Sequence, residues 1–163
     1  MRAPPTFECV TRDLLVAAAV VLLLSALFIH RSGSRGPVIR ADPVRTPGAL
    51  NPHVTQATIH ATICVRGWTK TVRPPVEYTN ALKVKQMGEY GETGEPSDYQ
   101  EDHLISLELG GAPTDPRNLW PEPYPRASEM DRTENDLNAK VCSGAMALPD
   151  AQRKESEIKH TDG

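Results

Sequence analysis

The sequence predicts a small α+β domain carried behind an apolar N-terminal helix, on three observations. Ala57, Ile59, Ala61, Ile63 and Val65 alternate with polar neighbours, the period-2 pattern of a half-buried strand. An apolar run from Asp102-His103 through Leu104, Ile105, Leu107 and Leu109 breaks at Gly110-Gly111, and Asn118-Leu119-Trp120 follows, so the stretch reads as a hairpin. Met130, Thr133, Leu137 and Val141 recur at helical spacing and mark the packing face of a helix.

A chain of 163 residues has room for one domain and a tail. The expected organisation is an N-terminal signal or membrane anchor over 1–31, a flexible linker over 32–54, the domain over 55–155 and a C-terminal tail over 156–163. The block Leu14 to Ile29 has only Ser25 as a polar residue. It is close to the lower limit of about 17 residues for a membrane span and has no polar face to suit a core helix. Arg2 and Arg12 are offset by Glu8 and Asp13, and Ile29-His30-Arg31-Ser32 is no obvious cleavage site, so signal peptide and retained anchor both stay open. Arg31, Arg35, Arg40 and Arg45 draw the following side toward the cytoplasm. The cysteines favour the opposite side. Cys9 precedes the block, whereas Cys64 and Cys142 lie in the domain and suffice for one disulfide, the alternative being two free thiols. The absence of a Cys-x-x-Cys pair gives little support to a zinc knuckle.

The elements follow in order. Ser32 to Pro52 is rich in Gly, Pro and Arg and reads as a tether. Order begins near Thr55 with the alternating strand, which Gly67-Trp68 ends. Arg73-Pro74-Pro75 is an extended connector that cannot be helical. Thr79 or Asn80 caps a helix to about Tyr90, with Leu82, Gln86 and Met87 on one face. Gly91 to Ser97 is a loop. After the hairpin, Pro121, Pro123 and Pro125 argue against regular structure. Ser128 caps a helix over Glu129–Cys142, which Ser143-Gly144 stops. Leu148-Pro149-Asp150 starts a last helix, and the residues from Lys159 onward fray.

The order Asp102-His103, apolar run, Gly110-Gly111, Asn118-Leu119 resembles the HNH (His-Me finger) endonucleases. The resemblance covers roughly Thr55 to Arg153, including Thr69-Lys70-Thr71-Val72-Arg73-Pro74-Pro75 and Tyr78-Thr79-Asn80. It implies a ββα-metal core in which a hairpin and one helix grip a divalent ion, Mg²⁺ or Mn²⁺, and hydrolyse a phosphodiester bond. His103 is then the general base, suited by an ordinary imidazole pKa of about 6.5. Asp102 and Asn138 are metal ligands, and Asn118 supports the loop and orients the base. Adjacent strand residues face opposite ways, so Asp102 and His103 serve one phosphate only at a strand end or kink. The bland alternatives are a packed histidine and a turn-closing asparagine. Asp131, Glu134, Asn135 and Asn138 form a polar stripe, either a face of the site or a solvated surface. Exported HNH-like sequences carry Lys where this chain has Met130 and His where it has Asn138. Those departures remove a phosphate contact and weaken a ligand.

Charge argues against general DNA binding. From Asn51 onward twelve Lys and Arg face eighteen Asp and Glu, a net of −6. Arg66, Lys70, Arg73, Lys83 and Lys85 depart from that average, opposed only by Glu77 and interleaved with Trp68 and Tyr78. Such a patch can follow a nucleic-acid backbone while bases stack, or it can be an ordinary solvated face. The expectation is a metal-dependent nuclease acting on DNA rather than RNA, without a small-molecule cofactor. It would touch the membrane through residues 14–29, with its domain extracytoplasmic. The rival is a catalytically silent, disulfide-stapled binding or structural module.

Overall fold

Two five-residue strands, β1 (Tyr99–His103) and β2 (Leu119–Pro123), pair antiparallel in the computed structural model, which describes residues 40–162. The register runs from Tyr99 opposite Pro123 to His103 opposite Leu119. Tyr124 N–H donates to Asp98 O at 2.9 Å and Leu104 N–H to Asn118 O at 2.8 Å, just beyond the two ends of the ladder. Antiparallel pairs alternate, so Pro121 and Pro123 occupy the non-hydrogen-bonded positions, where a missing N–H costs nothing. Two of the three prolines expected to prevent regular structure after Trp120 therefore sit inside a strand, and Pro125 precedes the next helix.

Among the described residues four helices accompany the hairpin: α1 (Trp68–Val72), α2 (Val76–Tyr90), α3 (Arg126–Cys142) and α4 (Leu148–Thr161). The mixture of helices with a small sheet is the expected α+β class. α2 starts one turn before the expected Thr79 or Asn80, directly behind Pro74-Pro75, with Glu77 favourably placed in its first turn. Leu82, Gln86 and Met87 are its buried residues, as their spacing implied. α3 likewise begins at Arg126 behind Pro125 and buries Met130, Leu137 and Val141.

Residues 57–65 do not form the expected strand. Ile59 and Ile63 are buried four residues apart, while Ala57, Ala61 and Val65 are exposed, so the alternation hid a helical spacing. The segment is a run of turns around a 3₁₀ turn at Ile59–Ala61, with Thr62 Oγ1 donating to Thr58 O at 2.8 Å. The apolar run after His103 is not a strand either. Leu104, Ile105, Leu107 and Leu109 are all buried, in a loop that ends in a 3₁₀ turn at Leu107–Leu109. Gly111 closes that loop because any Cβ there would lie 1.8 Å from Ile105 O.

Where it is described, the segment read as a tether is held by the fold. Ala41, Thr46, Asn51 and Val54 are buried, Ala41 N–H donates to Lys159 O at 3.1 Å, and Leu50 bridges to Gly111. Its hydrogen bonds go to distant residues, which a Pro- and Gly-rich composition does not reveal. The end read as a frayed tail is helical to Thr161, and Lys159 is wholly buried.

The main core joins Val54, Ile59 and Ile63 to Ile105, Leu109, Leu137, Val141, Leu148 and Ala151. Beside it the Cys64–Cys142 disulfide ties the turn segment to the end of α3, across a sequence separation of 78. A bridge was expected, and closing a loop of that length contributes about 4 kcal/mol in the chain-entropy model. The apolar block Leu14 to Ile29 lies outside the described residues. Among the described residues no helix is long and apolar enough to cross a membrane.

Candidate functional site

His103 is the last residue of β1, the strand end that its pairing with Asp102 demanded. Its Nε2 stands 3.0 Å from the carbonyl oxygen of Pro113. A carbonyl only accepts, so Nε2 carries the hydrogen and Nδ1 keeps a lone pair. Among the described residues Nδ1 has no hydrogen-bond partner. Burial pushes the imidazole pKa below its usual value, helped by the positive charges of Arg73 and Lys159 and opposed by the Pro113 bond and Asp102. His103 is held neutral at physiological pH.

Asn118 secures the loop that carries Pro113. Its Oδ1 accepts from Ile105 N at 3.0 Å, and its Nδ2 donates to Ile105 O at 3.0 Å and Ala112 O at 3.1 Å. The side chain is fully buried, so it acts on the loop and not on a solvent-borne substrate.

Asp102 faces the other way. Its Oδ2 accepts from Lys159 Nζ at 2.6 Å and its Oδ1 from Gln100 Nε2 at 3.1 Å. Lys159 also donates to Glu134 Oε1 at 2.7 Å and to His103 O at 2.7 Å, and Glu155 lies 3.7 Å away. Burial pushes Asp102 up, but the Lys159 ammonium brings it down to about 2. Burial and the neighbouring Asp102 charge push Glu122 up to about 9. Burial lifts Glu134 to about 7 against the pull of Lys159, and it raises Glu155 well above the carboxylate range. The ligand role read for Asp102 thus meets a carboxylate already neutralised by a buried ammonium.

The polar stripe on α3 splits for the same reason. Glu134 turns inward to Lys159, Asp131 and Asn135 are exposed, and Asn138 is half-buried. Asn138 Nδ2 donates to Glu108 O at 2.8 Å, which leaves its amide oxygen without a partner among the described residues. Asn135, Asn138 and Glu108 line one side of a cavity of about 360 Å³, and residues Ile63 to Thr69 with Cys142 line the rest. Burial and then the Asp131 carboxylate raise Glu108, while Arg73 opposes them. The positive charge of Arg73 therefore bears on both His103 and Glu108. No sequence argument singled out Glu108, although it is the one charged residue of a run that is otherwise apolar.

The basic patch divides. Arg66 lines the cavity beside Trp68, and Arg73 belongs to the His103 cluster. Lys70 is exposed on α1. On α2, Lys83 Nζ donates to Tyr99 O at 2.9 Å and Lys85 pairs with Glu89 at 3.5 Å.

Among the described residues no three His, Cys, Asp or Glu side chains converge to hold a metal. Glu108 and Asn138 line the cavity, and the Asp131 carboxylate bears on Glu108; oxygen donors of this kind suit a hard divalent ion completed by water and phosphate. Compared with protein-family models, with curated proteins and with solved structures, the chain matches none.

Proposed function

We propose that the chain is a metal-dependent endonuclease of the HNH (His-Me finger) type, with β1, β2 and α3 as its ββα core. The observation that carries this reading is the His103 ring, neutral and fixed by Pro113 with Nδ1 left as an acceptor. In that state the imidazole takes a proton from a water attacking phosphorus. Arg73 offsets the charge developing on the phosphate, and Asn118 keeps the Pro113 loop in place. Glu108, Asp131 and Asn138 would hold Mg²⁺ or Mn²⁺, in place of the Asp102 and Asn138 pair. When bound, such an ion supplies charge neutralisation at phosphorus and at the leaving oxygen. The cavity lined by Arg66 and Trp68, with Lys70 exposed on α1, would take one strand of DNA. The disulfide supports placing the domain in an oxidising, extracytoplasmic compartment.

The acidic balance weighs less than its count suggests. Glu101 is pushed up to about 8 by burial and Glu122 to about 9, so both stay protonated at neutral pH and lie inside the fold.

A second reading, a silent binding or structural module, is favoured by the Asp102–Lys159 pair and by Met130 and Asn138. Plasmid nicking with Mg²⁺ or Mn²⁺ separates the two. Under the nuclease reading, His103→Ala loses the ~10²–10⁴-fold that positioned acid–base catalysis contributes. A parent protein that nicks with neither ion is the silent module.

A further inference from the structure

We propose that Lys159, on the C-terminal helix, is the positioning residue of His103, its ammonium gripping the end of β1 from behind and setting where the imidazole stands. The proposal rests on reading His103 as the base.

His103 faces Leu119 in a non-hydrogen-bonded pair, so its carbonyl points away from β2 and no ladder bond satisfies it. Lys159 Nζ donates to that oxygen at 2.7 Å and to the preceding Asp102 carboxylate at 2.6 Å. Its third donor goes to Glu134 at 2.7 Å, which uses the whole capacity of an ammonium. The backbone of His103 is thereby fixed on one side, and its ring is fixed on the other by Pro113.

The grip is part of a longer arrangement. Gln152 Nε2 donates to Leu109 O at 2.8 Å, and Glu155 accepts from Ser106 N at 3.0 Å. Lys159 completes the series at His103, so one face of α4 follows the loop backbone from Leu109 back to the base. The end of α4 is itself anchored, since Lys159 O accepts from Ala41 N at 3.1 Å and His160 Nε2 bonds Thr46 O at 3.0 Å.

An ion pair that served only stability would leave the ring unaffected, and an apolar side chain would fill the space at less cost. The Lys159 charge instead reaches the imidazole. It opposes imidazolium formation, as Arg73 does from another side, while Asp102 favours it. Glu122 from β2, Glu134 from α3 and Glu155 from α4 complete the titratable surroundings of the ammonium.

Ring ¹⁵N NMR on the full chain in mild detergent tests this, with His103 assigned by its loss in His103→Gln. The parent should show the Nε2–H tautomer. In Lys159→Met the His103 midpoint should rise by about half a pH unit or more, and the tautomers should mix. Lys159→Met/Asp102→Asn removes both charges and is the better tolerated change; it should mix the tautomers too. If the parent nicks DNA, both variants should lose about tenfold or more in kcat with KM little changed. Folded variants that keep the parental tautomer and midpoint overturn the proposal, and so does failure of both to fold, which makes the role structural. A parent inactive in nicking removes the nuclease reading alone, because the NMR result does not depend on turnover.

Discussion

Asn118 and His103 act on one another through a single loop: the Asn118 amide bonds Ala112 O at 3.1 Å, and the next carbonyl, Pro113 O, receives the His103 ring at 3.0 Å. Removing Asn118 should therefore disturb both stability and the base. Asn118→Ala strands the N–H and C=O of Ile105 in the interior, and about 2–4 kcal/mol should be lost in urea unfolding. Nicking should fall with it. An activity loss without a stability loss would mean that Asn118 meets the substrate directly.

The His103 pKa lies below that of a free imidazole, so nicking should rise with pH through a midpoint under about 6.5 and then level off. The same shift has a consequence for stability. The unfolded histidine binds a proton more readily than the folded one, so this contribution is complete above the unfolded value and is lost as pH falls. His103→Gln should flatten that part of the stability curve between pH 5 and 7. A curve unchanged by the substitution would show that the ring titrates freely.

Manganese-induced stabilisation locates the ligands. Glu108→Gln and Asp131→Asn should each abolish the rise in melting temperature on adding Mn²⁺, and Asn138→Asp should enlarge it. An equal rise in Glu108→Gln and the parent would remove the cavity as the metal site.

Glu122 carries a prediction of opposite sign to that of His103. Its folded pKa of about 9 exceeds the usual carboxyl value, so its contribution is present at acid pH and is lost as pH rises toward 9. Glu122→Gln imitates the protonated acid and should stabilise the fold by about 1 kcal/mol or more at pH 8, with little effect at pH 5. Equal destabilisation at both pH values would show that the carboxyl is needed in its charged form.

Much of the frame was legible because it is written in local spacing. The buried faces of α2 and α3 and the pairing of Cys64 with Cys142 follow from periodicity or from residue type, whereas the two strands lie outside the apolar run that suggested a hairpin, at Tyr99–His103 and Leu119–Pro123. What escaped notice depends on distant partners. α4 buries Leu148, Ala151, Gln152, Glu155 and Lys159 at helical spacing. Three of those five are polar, so a search for apolar periodicity reads their face as solvated. The partner that explains Lys159, Asp102, lies 57 residues earlier. Glu108 was hidden in a similar way, since its approach to Asp131 exists only after the loop beyond His103 has folded back onto α3.

The hydrogen bond from Ala41 N to Lys159 O brings the two ends of the described residues side by side. The path from Ala41 to Lys159 is thus nearly a closed ring, and the ring has no intrinsic starting point. A circular permutant that links residue 162 to residue 40 by a few glycines and opens at the exposed Thr93-Gly94 bond should keep most of its packing, with only the Glu92–Tyr99 hydrogen bond loosened. The order in which the elements are synthesised would change, with the hairpin and α4 made before the turn segment that holds Cys64. The helix that carries Lys159 would then be complete before the Cys64–Cys142 disulfide could form.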